Sequence, residues 1–235
     1  MGEKRNIKYF FSVEGETELL YFQRLKELIL AEDKRIANPV IRAEKLSPSR
    51  FAKKLSLIRP CTITAVYDVE DNDADHRLRF ENILKEMQSV GKSGKTIKYE
   101  LGYSNIDFEL WLILHKKDLF GSVGNKKQYL SHINKSFGTQ FAGLKEYKEA
   151  RCFSQILSQI SLQDVKTAIM RAEKITKQRL SEDSPTKSSG YEWFTKNPSL
   201  SIHKAVKKIL VDCGVYKNLM TKLMNGEIDV SEVKI

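Results

Sequence analysis

The chain has 235 residues, of which 41% are hydrophobic and 30% charged, with a formal net charge of +10. That length supports one large domain or two small ones with a real core, and no run approaches the roughly 18 apolar residues of a membrane span, so no membrane partner is expected. Cys61, Cys152 and Cys213 are odd in number, far apart and outside any C-x-x-C spacing. They argue against a disulfide framework or a zinc site, and with no signal-like apolar run at the N-terminus the expected location is cytoplasmic.

Residues 7–13 (IKYFFSV) form a short, nearly continuous apolar run, the pattern of a strand covered on both faces. Thr17 is placed to cap a following helix, in which Leu20, Leu25, Leu28 and Ile29 fall near helical spacing and Glu18 lies at the positive end of the dipole. Residues 39–46 read as a second strand. Pro48 then opens a short helix carrying Phe51, Leu55 and Leu57, and the β-branched run 61–69 is the clearest central strand. Residues 74–90 read as a helix with Leu78, Ile83, Leu84 and Met87 inward, 96–101 as a strand, and Asp107 precedes an apolar helix over 108–114. Such alternation implies an α/β fold with a parallel sheet flanked by helices.

After His115 the pattern turns helical, over 125–137, 145–160 and 162–180. Residues 181–190 (SEDSPTKSSG) read as a mobile loop, and Asn197-Pro198-Ser199 starts a basic amphipathic helix to Cys213. The expected organisation is a catalytic domain over 1–115 and a basic helical region over 116–235 packed on it. Charge divides the same way: 19 Lys+Arg against 18 Asp+Glu in the first part, 21 against 12 in the second.

Two acidic clusters stand where strands should end, Val13-Glu14-Gly15-Glu16-Thr17-Glu18 and Tyr67-Asp68-Val69-Glu70-Asp71-Asn72-Asp73. Ligands of such sheets bind at the carboxyl ends of strands, near the point where strand order reverses. Paired carboxylates there suit Mg²⁺ or Mn²⁺, which take oxygen ligands and can polarise a phosphoryl oxygen. Gly15, lacking a Cβ, lets the turn pass close to a ligand. Glu16, Glu18, Asp71, Asp73 and Asp75 can also be read as simply solvating loops and helix starts, and for Asp73 and Asp75 that is the better reading. Glu14 and Asp68, directly beyond apolar strands, point to function. Glu109 sits in an apolar stretch and must be paired with a lysine or arginine, or else held by a metal. His115 and His203 read as packed or hydrogen-bonded at helix ends.

Two motifs are set aside. Residues 89–96 (SVGKSGKT) look like the tail of a phosphate-binding loop, but a helix precedes and a strand follows, the reverse of what aims a helix N-terminus at phosphate. His115, His132 and Asn134 lack the fixed spacing of an HNH nuclease. Among the surplus cations, Lys116, Lys117, Lys126, Lys127, Arg171, Lys174, Lys204 and Lys207 are candidates to grip nucleic acid, with Lys145, Lys148, Arg151, Lys177 and Arg179 beside them. Tyr129, Phe153, Tyr191 and Trp193 are candidates for base stacking. Taken singly, each is as well explained by solvation or core packing. The regional surplus predicts salt-sensitive, weakly sequence-selective binding.

The E-G-x-T-E sequence Glu14-Gly15-Glu16-Thr17-Glu18, followed by the D-x-D-like Asp68-Val69-Glu70, resembles the TOPRIM domain of topoisomerases, primases and overcoming-lysogenization-defect (OLD) nucleases. More narrowly the chain resembles the RloB-like branch linked to restriction and abortive-infection loci. The added matches are residues 104–115 (SNIDFELWLILH) and 197–203 (NPSLSIH), so the resemblance covers most of the chain. It implies a TOPRIM-like Rossmannoid sheet with a basic helical C-terminal region. Glu14 would be the acid/base or metal-binding glutamate, Glu18 a further metal ligand and Asp68 the leading one. Glu70 stands where the family has a second aspartate, so either it or Asp71 would complete the set, with Glu109 as a further ligand. The activity implied is Mg²⁺- or Mn²⁺-dependent cleavage of DNA or RNA in phage defence, with an ATPase partner encoded nearby. The alternative is a non-catalytic nucleic-acid-binding or regulatory subunit with a degenerate site, a reading that gains from Glu70. Primase-like nucleotidyl transfer ranks lowest, because the chain has no zinc ribbon.

Overall fold

A computed structural model describes residues 3–56, 60–69, 74–92 and 96–216. The apolar run near the N-terminus forms β1 (Arg5–Val13), followed by α1 (Glu16–Leu30), β2 (Ala37–Glu44), α2 (Pro48–Lys54) and β3 (Cys61–Asp68). Then come α3 (Ala74–Lys92), β4 (Ile97–Asn105) and α4 (Glu109–Leu114). The second half supplies α5 (Lys126–Phe137), α6 (Leu144–Tyr147), α7 (Ala150–Ser158), α8 (Leu162–Glu182), β5 (Thr186–Ser188), β6 (Tyr191–Trp193), β7 (Ser199–Leu200) and α9 (Ile202–Asp212).

The main sheet has the order β2-β1-β3-β4-β7, with the first four strands parallel and β7 antiparallel on the edge of β4. The expected α/β class is therefore found. From β1 the chain adds β2 on one side, then β3 and β4 on the other, so strand order reverses between β1 and β3. Both faces are covered. Ile63, Ala65 and Tyr67 of β3 face a core with Phe51 of α2 and Phe80, Leu84 and Met87 of α3. Tyr9, Phe11 and Val13 of β1, with Val66, face a larger core shared by α1, α4, α5, α7, α8 and α9. Alternation along β1 and β3 divides the residues between two cores, as pleating requires. That larger core runs without a break from the first half of the chain into the second.

Several local expectations are corrected. Thr17 does not cap α1: the helix starts at Glu16 behind Gly15, and the Thr17 hydroxyl donates instead to the Glu18 carboxyl at 3.0 Å. Leu78 lies outward, 54% exposed, and Phe80 takes the inward position, because the buried stripe of α3 runs through 80, 84 and 87. The 145–160 stretch is broken into α6 and α7 by the extended backbone of Glu149. Of the span read as a loop, 181–182 end α8 and 186–190 supply the first strand and turn of the β5–β6 hairpin, whose second strand follows at Tyr191–Trp193. Ser199, expected at the start of a helix, pairs with Asn105 as part of β7, so α9 begins only at Ile202. Leu57, Glu70, Asp71, Asp73 and residues 93–95 lie outside the described residues. No described helix is long and apolar enough to cross a membrane.

Candidate active site

The strand-order reversal brings the ends of β1 and β3 side by side. Glu14, one residue past β1, accepts a hydrogen bond from the backbone N–H of Asp68, the last residue of β3, at 3.1 Å. Glu14 is exposed and Asp68 half-buried. Glu18, in the first turn of α1, is buried and turned back toward the same place. Gly15 has a steric reason to lack a side chain, since a Cβ there would stand 2.9 Å from the Glu18 Oε2.

Two more carboxyls come from the end of β4. Asp107 and Glu109, only 2% and 1% exposed, are carried there by the parallel register that sets Asp68 opposite Ser104. Asp107 accepts from the Phe108 N–H at 2.9 Å and lies 3.6 Å from the Lys126 Nζ. Glu109 lies 3.4 Å from the Lys148 Nζ, and as a carboxylate neither of its oxygens meets a hydrogen-bond donor. The sequence left open a metal ligand or an ion pair for Glu109. The ion pair is present, and it sits inside the carboxylate cluster. Asp107 was missed as a site residue, although Asp107-Phe108-Glu109 after a strand is the same kind of signal as the first two clusters.

These five carboxyls affect one another. Burial, followed by Asp107, Glu14 and Glu18, pushes Asp68 well above the ordinary carboxylate range. Burial and then Asp107 do the same to Glu109, with Lys148 pulling the other way. Burial also acts to raise Asp107, but hydrogen bonding from Glu109 and Asp68, with Lys148 and Lys126, holds it below its usual range. Asp68, Asp107 and Glu109 thus share protons as one coupled group, with Lys148 and Lys126 offsetting its charge. Glu18 is pushed up to about 7, first by burial and further by Glu14 and Asp107, against the lowering bonds from its own backbone and Thr17. Glu18 is therefore a carboxyl suited to exchange a proton near neutral pH.

The donor set suits a hard divalent cation: it is all oxygen, it carries more carboxyls than lysines, and its buried Glu109 oxygens lack donors. Among the described residues, however, no three His, Cys, Asp or Glu side chains are already grouped closely enough to hold a metal ion. Binding would have to draw these side chains together, exchanging shared protons for the cation.

The basic candidates are dispersed. Lys116 is engaged with the Gln159 carbonyl and Asp164, and Arg171 with Asp118 and the Leu114 carbonyl. Lys207 pairs with Glu173 and lies over the Tyr216 ring. Lys126 turns toward Asp107, while Lys117, Lys127, Lys174 and Lys204 are exposed. Lys148, grouped with the surface cations, instead serves Glu109. Tyr129, Phe153 and Trp193 are buried and belong to the cores, which removes them as stacking platforms. His115 is buried between the Tyr21 hydroxyl at 3.2 Å and the Trp111 carbonyl at 2.9 Å, a packed and hydrogen-bonded residue as expected.

A family model described as RloB-like protein matches residues 9–209, which takes in all five carboxyls of the cluster. No curated protein and no solved structure matches the chain.

Proposed function

The chain belongs to the RloB-like family, and from that premise we propose that it is a Mg²⁺- or Mn²⁺-dependent nuclease that hydrolyses phosphodiester bonds in DNA or RNA. The observation that carries this reading is the gathering of Glu14, Glu18, Asp68, Asp107 and Glu109 at the carboxyl end of the sheet, where strand order reverses. Glu14 and Asp68, joined across the β1–β3 seam, would hold the cation, with Glu18 and Asp107 beside them. Such an ion supplies charge stabilisation at a phosphoryl oxygen and favours ionisation of water. Glu18, with its proton held to about 7, can accept or return a proton at neutral pH. Lys126 and Lys148 limit the negative charge of the cluster, so that a phosphate can approach it. Resemblance to restriction-linked and abortive-infection proteins supports a setting in phage defence, with an ATPase partner.

Glu14→Ala and Asp68→Ala should each abolish metal-dependent cleavage of plasmid, single-stranded DNA or RNA while leaving the circular dichroism spectrum unchanged. Full activity in both variants would sink the proposal. A second reading, a nucleic-acid-binding or regulatory subunit without catalysis, is favoured by one observation. The buried carboxyls already have lysine partners, and no three of the described ligand-type side chains stand grouped for a metal. It predicts binding that persists in EDTA and no cleavage in either cation.

A further inference from the structure

Beside the carboxylate cluster lies a cleft of about 760 Å³ that no sequence motif announced. Val69, the residue after Asp68, forms part of its wall, with Arg77 and Phe80 of α3, Arg179 of α8, Trp193 of β6 and Lys196. Its volume falls in the range of pockets that hold a small organic ligand or a nucleotide. Three cations line it against one acid, Glu81, Lys196 also lying 3.6 Å from Asp183, and the hydroxyls of Thr186 and Thr195 add neutral donors.

The walls are fixed. Phe80 and Trp193 meet edge to face, 5.4 Å apart, and both are buried, so they form a floor and not a stacking surface. Buried Asn105 at the end of β4 donates to the Phe194 and Thr195 carbonyls at 3.0 and 2.8 Å. Asn197 accepts from the Ser122 hydroxyl and the Val123 N–H, both at 2.8 Å. Arg179 is the unusual member. It is only 8% exposed, its Nη2 pairs with Glu182 at 2.8 Å, and its Nε meets no acceptor. A guanidinium has five N–H donors, and leaving them unmet in a buried position is costly. A pre-set, under-used arginine on the wall of a cationic cleft is suited to phosphate oxygens.

We propose that this cleft binds the phosphate backbone of a nucleic-acid strand and leads that strand onto the carboxylate cluster. The proposal rests on the nuclease reading for its direction, since Val69 in the cleft wall directly follows Asp68. Arg77 and Lys196, both exposed, supply the salt-sensitive attraction, and Arg179 fixes one phosphate at the wall.

The test is fluorescence anisotropy of a labelled single-stranded 12-mer, as DNA and as RNA, with the full chain in EDTA. Arg77→Ala/Lys196→Ala should weaken binding of at least one oligonucleotide by tenfold or more. It should also flatten the dependence of log affinity on log salt by roughly 1.4, two contacts on a single strand. Arg179→Lys, checked for an unchanged unfolding temperature, should weaken binding at least fivefold, because a point charge replaces a fork. The charge-matched control Lys26→Ala/Lys34→Ala, exposed and outside the cleft, should stay within twofold of wild type. Wild-type-like binding by the Arg77→Ala/Lys196→Ala protein, an equal loss in the control, or no binding by the wild type would each overturn the proposal. So would displacement of the oligonucleotide by a nucleoside monophosphate as readily as by unlabelled strand, since that marks a mononucleotide pocket. A separate incubation in Mn²⁺ keeps the two readings apart: cleft-dependent binding without cleavage retains the cleft and removes the nuclease.

Discussion

Glu109 is the residue on which the buried charge balance turns. It is 1% exposed, has no donor as a carboxylate, and faces one cation, Lys148, whose side chain is 44% exposed. Removing one partner of such a pair leaves the other to be neutralised at a cost, whereas removing both can be nearly neutral. Lys148→Met should therefore destabilise the fold by about 2 kcal/mol. Lys148→Met/Glu109→Gln should recover more than half of that loss in urea unfolding at pH 7. If the double variant is no more stable than Lys148→Met alone, Lys148 acts through packing and not through Glu109. The same pair shows what was legible at this scale. A carboxylate in an apolar run had to be paired or metal-bound, and pattern alone could not choose. Here Asp107, noted only as the residue before the helix, explains why both descriptions apply: the lysine and a shared proton divide the work within one cluster.

At the scale of elements, β1 and β3 were readable because buried parallel strands are written as continuous apolar, β-branched runs. Glu14 and Asp68 were readable because they end those runs. The β5–β6 hairpin and β7 were not, because strands of two or three residues carry no periodicity and their stability comes from neighbours. The Asn197-Pro198-Ser199 motif was noticed but misassigned as a helix start. The Asn197 Oδ1 instead ties the 122–123 segment down, and the following residues pair with the edge of β4. Only acceptor capacity is used there. Asn197→Asp should thus keep most of the stability, while Asn197→Ala, which frees two donors, should cost about 2 kcal/mol by chemical denaturation. Equal losses in the two variants would show that the amide nitrogen, or the shape of the turn, matters more. The aromatic candidates failed for a geometric reason: on α5, α7 and β6 a residue next to lysines in sequence can point to the opposite side, into the core.

Over the whole molecule, two buried histidines oppose the carboxylate cluster in their response to acid. Burial lowers His115 to about 4 and His203 to about 3, the latter helped by Lys204 and Lys207, against an ordinary value of 6.5. In the unfolded chain both take a proton near 6.5, while in the fold both remain neutral far lower. Stability from these groups is therefore full above pH 6.5 and falls as pH drops toward their folded values. Glu18 works in the reverse sense. Its folded value of about 7 exceeds the ordinary 4.5, so the fold holds an extra proton between those limits and gains stability as pH falls from 7 to 4.5. Asp68 and Glu109, also raised, act in the same sense as Glu18, so the two histidines are what oppose the carboxyls on the acid limb. His203 is the cleaner probe, because its Nδ1 has no partner and a leucine would forfeit little hydrogen bonding. His203→Leu should stay within about 1 kcal/mol of wild type at pH 7. Between pH 6.5 and 4.5 it should lose about 2 kcal/mol less than wild type, since each pKa unit is worth about 1.4 kcal/mol. Urea unfolding at those pH values reads the difference directly, and parallel acid limbs in the two proteins would mean that His203 is protonated in the fold at ordinary pH.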